Sequence, residues 1–221
     1  MEYLYILPVL LFSVIVHEIS HGWLALRLGD PTARDAGRLT FNPIPHLDLF
    51  GSIILPAILV FTGSSFFLAW AKPVPVNPAN LRNPRRDDVL VSVVGPFSNL
   101  VVGLGCAIMF VLSIHILGAP DPQNISVGRY AADTVLNMFY IGIPVNIALA
   151  LFNLLPIPPL DGSHILASIL PGRLSMMYRQ VGFAGILILV VVMRLEPVRI
   201  AFGAAQSALM IPYNFLIQIL T

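Results

Sequence analysis

The stretch Tyr3–Leu26, YLYILPVLLFSVIVHEISHGWLAL, decides the fold. It is long and apolar enough to cross a bilayer as one helix, which takes about 20 residues, yet it holds His17, Glu18 and His21 in its second half. No basic residues precede it and no small-residue cleavage site follows, so it reads as a retained helix and not as a signal peptide. On a helix, His17 and His21 stand one turn apart on one face with Glu18 beside them. That HExxH spacing suits two imidazoles on one tetrahedral zinc. Three ionisable groups within five residues of a membrane helix are costly without a partner or a metal.

The rest of the chain continues the pattern. Further apolar stretches of near-spanning length run over Val89–Leu117, Ala131–Leu155, Met176–Met193 and Pro197–Leu220. Gly51–Trp70 is less regular, because Pro56 and Thr62-Gly63-Ser64-Ser65 interrupt it. The expectation is an all-α polytopic membrane protein of about five to six transmembrane helices, with a re-entrant or β-hairpin-like segment after the first helix. Composition agrees: of 221 residues, 57% are hydrophobic and 10% charged, against roughly 25% charged in a soluble domain. A net charge of +1 carries no field that would attract nucleic acid. The single cysteine, Cys106, lies in an apolar run, so a disulfide framework is excluded and the thiol reads as packing. One membrane domain, residues 1–221, accounts for the whole length.

Charge placement orients the helices. Arg27, Arg34 and Arg38 follow the first helix, and Lys72, Arg82, Arg85 and Arg86 precede the Val89 helix. The positive-inside rule puts both loops in the cytoplasm, so Gly51–Trp70 leaves and returns on one side. Arg194 and Arg199 then fall outside, against the rule. From Tyr3 to His17 is about 20 Å of helix and from His17 to Arg27 about 15 Å. The two histidines thus lie inside the bilayer, nearer the cytoplasmic face. The Arg82–Asp88 run, RNPRRDD, reads as a solvated cytoplasmic anchor.

A zinc site needs a third ligand, and downstream of Asp88 the acids are Asp121, Asp133, Asp161 and Glu196. Asp121 lies in a proline-flanked loop, Asp133 at a helix start, and Glu196 between two helices. Asp161 differs: it follows Asn153–Leu160, NLLPIPPL, where prolines break an apolar helix, and precedes Gly162. Such a break is tolerable at membrane depth only around a protein-lined cavity, into which a carboxylate can turn.

HEISH in the first helix, NLLPIPPLDG over Asn153–Gly162 and SVVGPFSN over Ser92–Asn99, in this order and spacing, resemble the site-2 protease family of intramembrane zinc metalloproteases. Gly29–Asp48 is similar to its compact prokaryotic branch. The resemblance implies one zinc held by His17, His21 and Asp161, Glu18 as catalytic acid and base, transmembrane proteins as substrates, and a multi-pass position in a prokaryotic inner membrane with the site toward the cytoplasm. It makes Asn99 and Asn153 candidates for holding the substrate backbone or the oxyanion, with interhelical hydrogen bonding as the alternative. His46 is a candidate for lining the site or orienting a ligand, and His164 for a supporting role. Phe66–Val76, whose prolines suit only a sheet edge, is a candidate for pairing with an extended substrate. The larger relatives' PDZ or CBS domains find no room in this length. A metal transporter or scaffold is the other reading, and it would not require Glu18.

Overall fold

The computed structural model describes residues 6–54, 58, 61, 70–119 and 126–221. Among them are four helices long and apolar enough to cross a membrane: α1 (Ile6–Arg27), α3 (Pro84–Leu117), α4 (Val127–Asn153) and α8 (Glu196–Leu220). Short helices fill the rest: α2 (Thr32–Asp35), α5 (Asp161–Ile169), α6 (Gly172–Gln180) and α7 (Gly185–Val192). No β-strand occurs among the described residues. The chain is an all-α polytopic membrane protein.

Local chemistry sets the helix ends. α3 starts at Pro84, five residues before the expected Val89, with proline in its first turn, where a missing N–H costs nothing. The Asp87 carboxylate accepts the Asn83 N–H at 2.8 Å. α4 starts at Val127 behind Ser126, whose hydroxyl accepts the Arg129 N–H. Asp133 therefore lies inside α4, where it pairs with Arg129. The expected span Met176–Met193 is bent: α6 and α7 meet at 83° across a turn in which Gly182 has φ +46°, a conformation glycine adopts freely. Counted as one broken span, the pair makes five. Most of Gly51–Trp70, including the candidate hairpin, lies outside the described residues, as do Asp121 and Phe66 to Ala69. The described part of the candidate edge, Trp70–Val76, forms no strand.

The packing follows from having lipid as solvent. Apolar side chains such as Leu7, Phe97, Ile116 and Ile211 face outward, while the interior holds Ser13, His17, His21, Asn99 and Asn146. An apolar core does form where α3 meets α4, around Ala107, Ile143 and Ile147, and α8 covers it with Leu209, Met210 and Tyr213. Cys106 packs there against Gly142, whose missing Cβ lets the two helices touch. α3 is the central element, in contact with α1, α4, α5 and α8.

The Arg82–Asp88 acids are not solvated as the sequence suggests: Asp87 and Asp88 are buried. Asp88 accepts from Arg179 of α6 at 2.8 Å and faces His164 of α5 at 3.2 Å, which ties three helices together. Burying a carboxylate requires such partners.

Candidate metal centre

α1, α3 and the N-terminus of α5 converge on three atoms. His17 Nε2, His21 Nε2 and Asp161 Oδ2 lie 3.0, 3.2 and 3.3 Å from one another. Ligands about 2.0 Å from a tetrahedral ion are separated by about 3.3 Å, so this triangle has the size of one face of a zinc site.

Hydrogen bonds show which atoms carry protons. Asn146 donates its amide N–H to the Gly142 carbonyl at 2.8 Å, so its Oδ1 is the acceptor for the Asn99 amide at 3.1 Å. That fixes Asn99 in turn, which also donates to the Ser13 carbonyl. Asn99 Oδ1 then faces His17 Nδ1 at 2.7 Å, and Nδ1 must be the donor. His21 Nδ1 donates to the Val91 carbonyl at 2.6 Å. In the neutral state in which imidazoles bind a metal, each ring has one N–H, so both Nε2 atoms then present lone pairs to each other and to a carboxylate. Asp161 Oδ2 is buried and accepts no hydrogen bond. Three inward lone pairs repel unless a cation sits between them, so the donor set fits a metal.

Glycines let the helices close on this point. A Cβ on Gly95 of α3 would stand 2.3 Å from His21 Nε2 and 2.7 Å from His17 Cε1, so the helix backbone itself roofs the imidazoles. Pro96 leaves the Ser92 carbonyl without its helical N–H partner, one residue beyond the Val91 carbonyl that accepts from His21. Beyond Asp161, a Cβ on Gly162 would meet the Leu154 carbonyl oxygen at 2.2 Å, so the turn folds tightly enough to bring the carboxylate inward. SVVGPFSN and NLLPIPPLDG are thus two close approaches to one centre.

Glu18 lies on the same turn of α1, its Oε2 accepting the Val74 N–H at 2.7 Å. With His17, Asn99 and Asn153 it lines a cavity of about 250 Å³ whose walls are Leu149, Phe152, Leu160, Ile186 and Leu189. Residues 5–193 match the sequence profile of Peptidase family M50. The chain belongs to peptidase family M50. It is 42% identical over 168 residues to YwhC of Bacillus subtilis (strain 168), provisionally named a zinc metalloprotease, covering 76% of this chain and 69% of that protein. Against Rip2 of Mycolicibacterium smegmatis (strain ATCC 700084 / mc(2)155), named in the same way, it is 29% identical over 156 residues, 69% of this chain and 52% of that protein. No solved structure gives a significant match. The M50 chain is a site-2 protease-like zinc metalloendopeptidase of a bacterial membrane, its helices arranged around a metal-binding His-His-Asp triad.

Of the other candidates, Asn99 is fully buried and bonded to His17. Asn153 is on the cavity wall, its amide donating to the Leu149 carbonyl at 3.0 Å. His46 is not among the cavity-lining residues; it is buried in the turn Ile44–His46 with Nε2 2.8 Å from the Thr40 carbonyl. His164 faces Asp88. Asn146 and Gly95 were not singled out from the sequence. An asparagine two residues past Pro144 in an apolar helix was the available signal for the first, and the motif glycine for the second.

Proposed function

We propose that residues 1–221 form one intramembrane protease domain in which His17, His21 and Asp161 hold a single zinc and Glu18 moves the proton. The observation that carries this is the triangle of inward lone pairs with Glu18 beside it on the cavity wall. Zinc bound there supplies a Lewis acid, which polarises a peptide carbonyl and lowers the pKa of water toward 7. Glu18 keeps Oε2 on Val74 and uses Oε1 to take a proton from the attacking water, then returns it to the leaving amine. Asn153, on the wall of the same cavity, holds the substrate backbone. The apolar remainder of the cavity suits a locally unwound transmembrane segment, and Ala71 and Pro73 border it where an extended substrate would lie.

The reading that both basic loops lie on one side of the membrane, which the positive-inside rule makes the cytoplasm, is supported by their bonding to each other. Arg82 N–H donates to the Leu28 carbonyl at 3.1 Å, and Arg38 to the Lys72 carbonyl at 2.7 Å. The ends of 51–70 also meet: Trp70 N–H donates to the Gly51 carbonyl and Ser52 to the Trp70 carbonyl.

Glu18→Gln in purified enzyme should bind zinc normally and cut no transmembrane substrate. Full cleavage by that variant would sink the reading and leave a metal-binding scaffold.

A further inference from the structure

The segment Trp70–Val76, WAKPVPV, lies along α1 and is held by alternate residues on one edge. The N–H of Trp70 goes to the Gly51 carbonyl at 3.2 Å, that of Lys72 to the His46 carbonyl at 2.9 Å, and that of Val74 to Glu18 Oε2 at 2.7 Å. The carbonyls of Trp70 and Lys72 accept from Ser52 and Arg38 on that edge. Alternate residues of an extended chain point their polar groups to one side, so this is a three-rung ladder whose last rung is a side chain, the carboxylate of the proposed proton carrier. Ala71 and Pro73, between the rungs, border the cavity together with Trp70 at its first rung.

Three features make the last rung rigid. Pro73 and Pro75 fix φ on both sides and carry no N–H, so Val74 offers the single amide donor in the tripeptide. Val74 precedes a proline and is thereby confined to extended conformations. Its side chain is 7% exposed and lies against Gly22, one turn beyond Glu18, where an added Cβ would stand 2.8 Å from Val74 Cγ1. Gly22 thus lets the segment settle on the helix at hydrogen-bonding distance from Glu18.

We propose that Val74 is a positioning residue for the hydrolysis: its backbone N–H holds one oxygen of Glu18 and turns the other to the reacting water. The segment that borders the substrate cavity and the group that holds the carboxylate are then one rigid piece. Seating of a substrate and alignment of Glu18 are thereby coupled. The inference rests on the protease reading above.

Two measurements test it. In enzyme labelled with ¹⁵N-valine, the Val74 amide signal, assigned by its absence from Val74→Ala, should move upfield in Glu18→Ala as the hydrogen bond is lost. A signal that stays in place overturns the proposal. In cleavage of a quenched single-span peptide of about 20 apolar residues, Val74→Pro removes the N–H, and the α-hydroxy analogue of valine at position 74 removes it without altering the side chain. Loss of a hydrogen bond to a charged group should lower kcat about 10- to 100-fold, with KM within about twofold and zinc content unchanged. Val74→Ala reports the cost of the side chain alone and should stand at least about tenfold above the ester in kcat. An ester enzyme with the kcat of wild type overturns the proposal. If Glu18→Gln is inactive while the ester enzyme is normal, only this inference fails; if Glu18→Gln still cleaves, the protease reading fails with it.

Discussion

His17 and His21 each bond the protein through Nδ1 and present Nε2 to the centre. The direction of the His17 proton is set two residues away, by Asn146 donating to its own helix and so forcing Asn99 to accept from the ring. Asn146→Ala should therefore weaken the metal site without removing a ligand. The expected loss is about 10- to 100-fold in zinc affinity, the range typical of partners behind a ligand, measured by competition with a chelator. Unchanged affinity would show that Asn99 keeps its orientation unaided. Asp161→Asn should lower zinc content outright, because it replaces a charged donor with a weak neutral one. The histidine pair and Glu18 were legible from spacing alone. Asn146 was not, since its role depends on which helix lies opposite it.

At the scale of elements, α3 matters for the atoms it lacks. Gly95→Ala raises helix propensity by about 1 kcal/mol, but the new methyl would stand 2.3 Å from His21 Nε2. Neither backbone nor ring can yield that distance cheaply, so the steric cost wins. The expected outcome is a variant with normal helix content by circular dichroism and little bound zinc; zinc at one per chain would refute the close approach. The length of the apolar runs located the long helices well but set their starts late, at Val89 and Ala131, because polar first turns such as Pro84–Asp88 look like loop. It also read Met176–Met193 as one span, since hydropathy counts apolar residues and is blind to a bend at Gly182.

Across the whole molecule, the loops beyond α1 and before α3 are held together by Asp30. Its carboxylate accepts from the Asn77 N–H at 2.6 Å, from Asn80 at 2.8 Å, and from both the N–H and the hydroxyl of Thr32. Burial raises the carboxyl pKa, but the hydrogen bonds from Thr32, Asn80 and Asn77 outweigh it and hold it below the ordinary value. A depressed carboxyl pKa contributes stability that is present above the unfolded value, near pH 4, and is lost as pH falls through the lower folded value. Asp30→Ala should thus lower thermal stability in detergent at pH 6 to 8, by about 2 kcal/mol for the donors it strands. Its difference from wild type should shrink as the pH falls below about 4. A constant difference across that range would mean that the carboxylate charge is not what holds the loops.

The sequence by itself determined the solvent and the chemistry. Scarce charge on apolar runs of spanning length can be satisfied only by lipid, and two imidazoles one turn apart with a carboxylate beside them are a ligand pattern in any helix. Asp161 was legible as a carboxylate at a broken helix. Only the tertiary structure decided that its oxygen closes a triangle with His17 and His21, that Gly95 roofs it, and that Val74 holds Glu18. The physical reason is range. Hydropathy and helical periodicity are local properties, readable within one or two turns, whereas these contacts join residues 56 to 144 positions apart, and their geometry depends on how closely glycines allow the helices to approach.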